Sequence, residues 1–445
     1  LTILGIGRAA GEGYVPGQEP ARSAPLEYEH LEPLVSVARD DRRRGLTDLL
    51  AHGGILARTC GTDISERPAA PTRSPRLGGV SGQAAERVRA AIEDHGPIGF
   101  DEYMELALYG PGGFFDVPPV GPDGHFVTSP HVHPFVFSHC LRDSMLDAWF
   151  ALGEIEPLPV VELGAGDGTL AGSLVEAFAE LPAPALSYTG VEIGAAARNA
   201  LGARGLATAS RLSELEPFDG VAFANELLDN LPFLPVRARP DGPMEVRVGL
   251  NDDLFVEVEV PWSNASIEPP SLRPGEETTV PVGGFALLEE LALVLRRGYV
   301  LLIDYGSVSG PAGPVHGYRE HREVADVLAE PGGTDVTAGV DVSMIAERAR
   351  GVGLRPFEPV TQARALGSLG FDRWERTMRE QQSRLQEAGR GSEAVRIWGS
   401  RSRASLLAEP SGFGGFWWLV LATEGLPEPP WLLRARGAAD RPEVR

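Results

Sequence analysis

The residues best able to do chemistry cluster in one run, Val161-Glu162-Leu163-Gly164-Ala165-Gly166-Asp167-Gly168. Its three glycines follow an apolar stretch and precede helical spacing that starts near Thr169. A tight strand-to-helix turn needs positive φ, which glycine adopts without penalty. A ligand lying against that backbone leaves no room for Cβ. The spacing also discriminates between ligands. A dinucleotide fingerprint is G-x-G-x-x-G, whereas here the third glycine comes one residue early and Thr169 stands in the dinucleotide position. Glu192 ends the next apolar run, 24 residues after Gly168. A carboxylate there can accept hydrogen bonds from both hydroxyls of a ribose.

G-x-G-x-G is the methyltransferase form of this turn, which has no pyrophosphate to cradle, and S-adenosyl-L-methionine is the expected cofactor. Glu162, Gly164, Gly166, Gly168 and Glu192 are the expected cofactor-binding residues. Glu162, inside the first strand, should reach the cofactor's amino group or a glycine-loop amide. A second cluster, Asn225-Glu226-Leu227-Leu228-Asp229-Asn230-Leu231-Pro232, follows another apolar run. Ligands of open α/β sheets bind outside the carboxyl ends of the strands, which puts this cluster beside the reacting methyl. Two compatible readings stay open. Asn225 caps a short helix whose dipole Glu226 and Asp229 complement, or these three residues are catalytic. His131 and His133 have no further cluster of ligand-type residues with them, and no metal site is expected.

The elements that position these residues are readable from periodicity. Apolar runs at 158–163, 186–193, 221–224, 299–303, 355–360 and 416–422 read as strands. Helical spacing fills 170–180, 195–204, 286–296 and 342–351. This alternation predicts a doubly wound, mostly parallel α/β sheet covered on both faces, over residues 156–425. Between 231 and 282 the period changes to two, over 233–237, 244–248 and 254–260, which predicts an inserted antiparallel ribbon that could carry homodimer contacts. Residues 362–410 read as a helical insertion. Residues 79–155 read as an N-terminal helical or lid region with helices at 84–94, 100–108 and 135–152, and a turn from Tyr109 to Phe115. Residues 1–78, with a short helix at 46–56, read as a disordered extension, and 426–445 as a tail.

Composition narrows the function classes. Hydrophobic residues make up 43% of the 445, enough for a large core. The net charge of −22 repels phosphate backbones, so a nucleic-acid partner is not expected. Every one of the 40 basic residues is arginine, which excludes a lysine Schiff base and the P-loop lysine. The two cysteines form no disulfide framework, and no apolar run reaches the roughly 18–20 residues of a membrane span. A cytoplasmic protein without membrane attachment is expected.

From about residue 82 to 423 the chain resembles a methyltransferase family: that of a mitochondrial complex I assembly factor that dimethylates an arginine of a core subunit, with its bacterial relatives. The resemblance is carried by Tyr103-Met104, Leu108-Tyr109 with Pro111 and Gly113, and Phe126-Val127-Thr128-Ser129-Pro130. The glycine run, Asn225-Glu226 with Asp229 and Leu231-Pro232, Ile303-Asp304-Tyr305-Gly306, Asp335-Val336-Thr337-Ala338 with Val340-Asp341, and Thr361-Gln362 complete it. His125 and His131 stand where the family carries acids, which bears on the acceptor more than on the donor. The resemblance implies a seven-stranded class I (Rossmann-like) fold, a protein arginine acceptor, and cofactor contacts from Thr128, Ser129 and Pro130. Glu226 and Asp229 would then clamp a guanidinium, with Asp304 and Tyr305 lining the acceptor side. For Asp304, ordering the strand-end turn is the other open reading. A small-molecule acceptor, or a non-catalytic assembly factor that binds the cofactor, are the alternative functions.

Overall fold

The computed structural model describes residues 81–116, 127–319 and 322–437. The expected extension at 1–78, its helix at 46–56, and His125 and Phe126 lie outside these residues. An eight-stranded sheet forms the centre. Its strands are β1 (Leu158–Leu163), β2 (Leu186–Val191), β3 (Ala207–Ala209), β4 (Phe218–Asn225), β5 (Leu295–Asp304), β6 (Arg355–Pro356), β7 (Val360–Thr361) and β8 (Trp417–Ala422). β3, β2, β1, β4 and β5 lie side by side in that order, all parallel. β8 runs antiparallel along β5, and β6 and β7 share its outer edge. Because β6 and β7 fill one position, this is the expected seven-position sheet. The single strand expected at 355–360 splits at Phe357-Glu358-Pro359, and Pro356 and Pro359 supply no N–H to the ladder.

Successive residues of each strand enter opposite cores, as a two-residue period requires. Val160, Val221, Phe223, Leu301 and Val420 join a core with the helices Pro134–Ala151 and Thr169–Ala179. Val161, Ala222, Ala224, Leu302 and Leu419 join the other, under the helices Val282–Val294 and Val342–Gly351. The chain leaves β1 toward β2 and β3 on one side and returns through β4 and β5 on the other. The strand order therefore reverses between β1 and β4. At such a reversal the flanking loops diverge and leave a crevice at the strand ends.

The expected ribbon is present and larger than its three predicted strands. Leu234–Arg239, Gly242–Asn251, Leu254–Pro261 and Glu277–Val280 form it, and Ile98–Gly99 adds a fifth strand through Ile98 opposite Val248. A small sheet of Val315–Arg319, Arg322–Val324 and Asp335–Ala338 was not expected, nor was β3. Runs of two to five residues show too little periodicity to be read from sequence. The helix Ser81–His95 and the segment Phe100–Tyr109 pack on the ribbon and this small sheet through Val88, Phe100, Tyr103, Met104, Phe233 and Val336. The insertion forms three helices, Gln362–Ser368, Phe371–Glu387 and Gly391–Leu406. No helix among the described residues is long and apolar enough to cross a membrane.

Residues 426–437, expected as part of a tail, belong to the core. The helix Pro430–Gly437 buries Trp431, Leu432 and Ala435. The Trp431 ring meets Trp418 edge-on at 5.7 Å. Two prolines and an arginine-rich end hide an apolar face only one turn long. Removing a buried indole leaves a cavity, so Trp431→Ala should cost about 3–5 kcal/mol of stability. Urea unfolding measures this, and a midpoint equal to that of the unmodified chain would refute it.

Candidate active site

The turn after β1 has the backbone its glycines predict. Gly164, Gly166 and Gly168 lie at φ +68°, +53° and +75°. An added Cβ at Gly164 would come within 2.8 Å of Leu227, so the turns after β1 and β4 are in contact. Glu192, just beyond β2, accepts from Gly166 N–H at 3.0 Å and from Gly194 N–H at 2.8 Å. The carboxylate one strand over thus holds the glycine turn directly. Ile193 beside it is exposed. For Glu162, one of the two expected partners, the glycine-loop amide, is replaced by another group. Its hydrogen-bond partner is the Tyr188 hydroxyl, not a glycine-loop amide. Burial pushes the Glu162 carboxyl up to about 8 against the pull of that hydroxyl.

The turn after β4 is built on Asp304, the last residue of β5. One oxygen of Asp304 accepts from Leu227, Leu228 and Asp229 N–H at 3.2, 2.8 and 3.3 Å, and the other accepts from Tyr305 N–H at 2.8 Å. Asp304 therefore takes the turn-ordering role. Glu226 is held at φ +53°, a left-handed backbone for a residue with a long side chain. Its Oε1 accepts from Ser129 N–H at 2.7 Å and from Asn225 Nδ2 at 3.1 Å. Asp229 Oδ2 accepts from the Thr337 hydroxyl at 2.8 Å, and Tyr305 shares that hydroxyl at 2.6 Å. Asp229 Oδ1 is buried without a hydrogen-bond partner among the described residues.

Asp335 completes this acidic shell and was not among the expected site residues. It is buried, and its Oδ1 accepts from Asn230 Nδ2 at 2.8 Å. The last strand of the small sheet, Asp335–Ala338, brings it there, through Ala338 N–H to the Asp229 carbonyl at 3.2 Å. Tyr109 closes the shell from the N-terminal segment, donating to the Asn230 carbonyl at 2.8 Å and stacking on Phe115. Burial pushes Asp229 up to about 6, against the hydrogen bond from Thr337. It pushes Glu226 up to about 7, against the bonds from Ser129 and Asn225. Asp335 rises to about 8 through burial and the nearby Asp229 charge.

The two histidines of the N-terminal block diverge. His131 Nδ1 meets the Thr128 hydroxyl at 2.7 Å, and its Nε2 meets Asp167 Oδ2 at 3.1 Å. His133 turns the other way, to the Ser400 hydroxyl at 2.9 Å and against Trp374. Ser129 also lies 3.5 Å from Gln362 Nε2, whose side-chain oxygen accepts from the Trp418 indole at 3.1 Å.

Residues 140–360 match the model of a family described as "Putative S-adenosyl-L-methionine-dependent methyltransferase". The backbone superposes on a crystal structure of a Burkholderia thailandensis protein bound to S-adenosyl-homocysteine. The TM-score is 0.68 at 27% identity, over 81% of this chain and 96% of that one. That match and that likeness make the protein an S-adenosylmethionine-dependent methyltransferase. The methyltransferase is also similar to "Protein arginine methyltransferase NDUFAF7, mitochondrial" of Xenopus laevis, 26% identical over 63% of this chain and 72% of the relative. The Homo sapiens protein of that name is 25% identical over the same shares. Those names overturn the expected cytoplasmic location, because these relatives are mitochondrial proteins. Sparse cysteine and the lack of an apolar run suit any aqueous reducing compartment, so composition carried no address.

The fold of the methyltransferase clusters Glu226, Asp229, Asn225, Tyr305 and Ser129 at the strand ends, next to the glycine turn that Glu192 holds. Asp335 was missed as a site residue because its signal, one acid in a four-residue strand, has meaning only once Asn230 is opposite. The pH dependence of stability tests its burial. An unfolded aspartate titrates near 3.9. Between that value and about 8 the native state holds a proton that the unfolded chain lacks. Stability from this group is full below the lower value and lost as pH rises through the higher one. Asp335→Asn should remove that loss. Its unfolding midpoint, relative to the parent chain, should be higher at about pH 8 than at about pH 5, and the same offset at both would refute it.

Proposed function

We propose that this methyltransferase delivers its methyl group to the guanidinium of a protein arginine side chain. The observation that carries the reading is the buried acidic shell of Glu226, Asp229 and Asp335, with Asp229 Oδ1 lacking a donor among the described residues. An acceptor desolvated without a partner costs free energy, and a guanidinium brings five N–H donors in a planar fork. The names of the vertebrate relatives support the same acceptor.

The donor supplies the methyl group and, as a sulfonium, its own leaving group. The residues present fit it. The three positive-φ glycines present turn amides, and Glu192 keeps a second lone pair on each oxygen for the ribose hydroxyls. Exposed Ile193 offers an apolar face for the base. We assign Thr128, Ser129 and Pro130 to the same pocket from the N-terminal side. Glu162, paired with Tyr188, supports the strand end.

On the acceptor side, Glu226 and Asp229 clamp two guanidinium nitrogens and draw positive charge onto them, leaving the third with a lone pair facing the methyl. That lone pair forms the N–C bond while the C–S pair departs on sulfur. The proton of the attacked nitrogen passes to Glu226 and then to water. A carboxylate with its pKa near 7 suits this exchange at neutral pH. Asn225 and the Ser129 amide hold Glu226 in place. Tyr305 and Thr337 fix Asp229.

Glu226 must be ionised to act, so turnover should rise with pH through about 7. Glu226→Gln should lower turnover about 100-fold or more, with S-adenosyl-homocysteine affinity unchanged within about twofold. Glu192→Ala should do the reverse, weakening S-adenosyl-homocysteine in isothermal titration before it affects turnover. Radiolabelled donor incubated with lysate, followed by mass spectrometry, should place the methyl on arginine. Label on a small molecule, or on none, would overturn the acceptor.

A further inference from the structure

The segment Thr128–Val132 touches both halves of the crevice. Its Ser129 N–H bonds Glu226 at 2.7 Å, on the β4 side. Its His131 ring bonds Asp167, inside the glycine turn on the β1 side, at 3.1 Å. His131 is nearly enclosed, with 9% of its side chain exposed. Asp167 also accepts from Thr169 N–H at 2.9 Å and from the Thr169 hydroxyl at 2.7 Å. Both of its oxygens therefore face protein donors.

We propose that His131 is a positioning residue for cofactor binding, a latch that fixes the Gly166–Gly168 turn to the N-terminal segment and so to Glu226. The protonation pattern follows from the partners. Although burial works the other way, bonds from His131 and Thr169 hold the Asp167 carboxyl down to about 2, so it only accepts. His131 Nε2 must then carry the hydrogen. In the neutral ring Nδ1 is left as an acceptor for the Thr128 hydroxyl. One ring thus bridges two backbone segments that no covalent neighbour connects. Asp167 sits between Gly166 and Gly168, where glycine backbones have the widest freedom. Fixing its side chain narrows the conformations of the turn amides before the cofactor arrives, and pre-organisation of this kind is gained as affinity.

The inference concerns the cofactor and stands whatever the acceptor is. Isothermal titration with S-adenosyl-homocysteine tests it. His131→Leu keeps much of the volume and removes both hydrogen bonds, so affinity should fall about tenfold. His131→Gln should recover to within about threefold of the parent chain, because its amide N–H can reach Asp167 while its carbonyl accepts from Thr128. A purely space-filling role would not separate leucine from glutamine. The KM for the donor should follow the same order, with kcat at saturating donor changed less. Leucine binding within about twofold of the parent, or glutamine as weak as leucine, would overturn the latch. Should His131→Leu fail to fold, His131→Phe keeps the ring and deletes both hydrogen bonds. It should weaken binding about tenfold, and binding equal to the parent chain would overturn the latch by itself.

Discussion

Four backbone N–H groups close on the carboxylate of Asp304, and the chemistry of the crevice stands on that contact. Three of them belong to the turn that carries Glu226 and Asp229. The fourth belongs to Tyr305, which steadies Asp229 through Thr337. β5 lies beside β4, and the sheet ladder extends one step past β4 through Glu226 N–H to the Ile303 carbonyl at 2.8 Å. The end of one strand therefore sets the conformation of the loop after its neighbour. Glu226 keeps its unfavourable positive φ because the ladder on one side and Asp304 on the other leave it little alternative.

The site concentrates buried carboxyls that a stability-optimised protein would avoid. Glu162, Glu226, Asp229 and Asp335 all sit above the ordinary carboxylate range because burial disfavours their charged forms. Each costs stability at neutral pH. The large cores on both faces of the sheet absorb that penalty. The surrounding hydrogen bonds to Ser129, Asn225, Thr337 and Asn230 keep each carboxyl in one orientation.

Much of the fold was legible because a parallel sheet buried on both faces must be apolar over whole strands. β1, β4, β5 and β8 are such runs, and the helices between them show their own period. The same logic failed where elements are short. β3, the small sheet at 315–338 and the helix Pro430–Gly437 are each too brief for a period to emerge, and tertiary packing makes them. Glu192 was legible as a strand-end acid. Its grip on Gly166 was not, because hydrogen-bond partners across a sheet have no signature along the chain.

The sequence by itself determined the doubly wound sheet, the positive-φ glycine turn and the set of acids after β4, since each rests on local rules: burial period, backbone sterics and strand-end position. Only the tertiary structure decided what each acid does. Asp304 became the anchor of a turn, Glu162 the partner of Tyr188, and Asp335 the partner of Asn230, while His131 bridged two loops 36 residues apart. The physical reason is range. A carboxylate's pKa and partners depend on atoms within a few ångströms, and in this fold those atoms come from segments as much as 284 residues away.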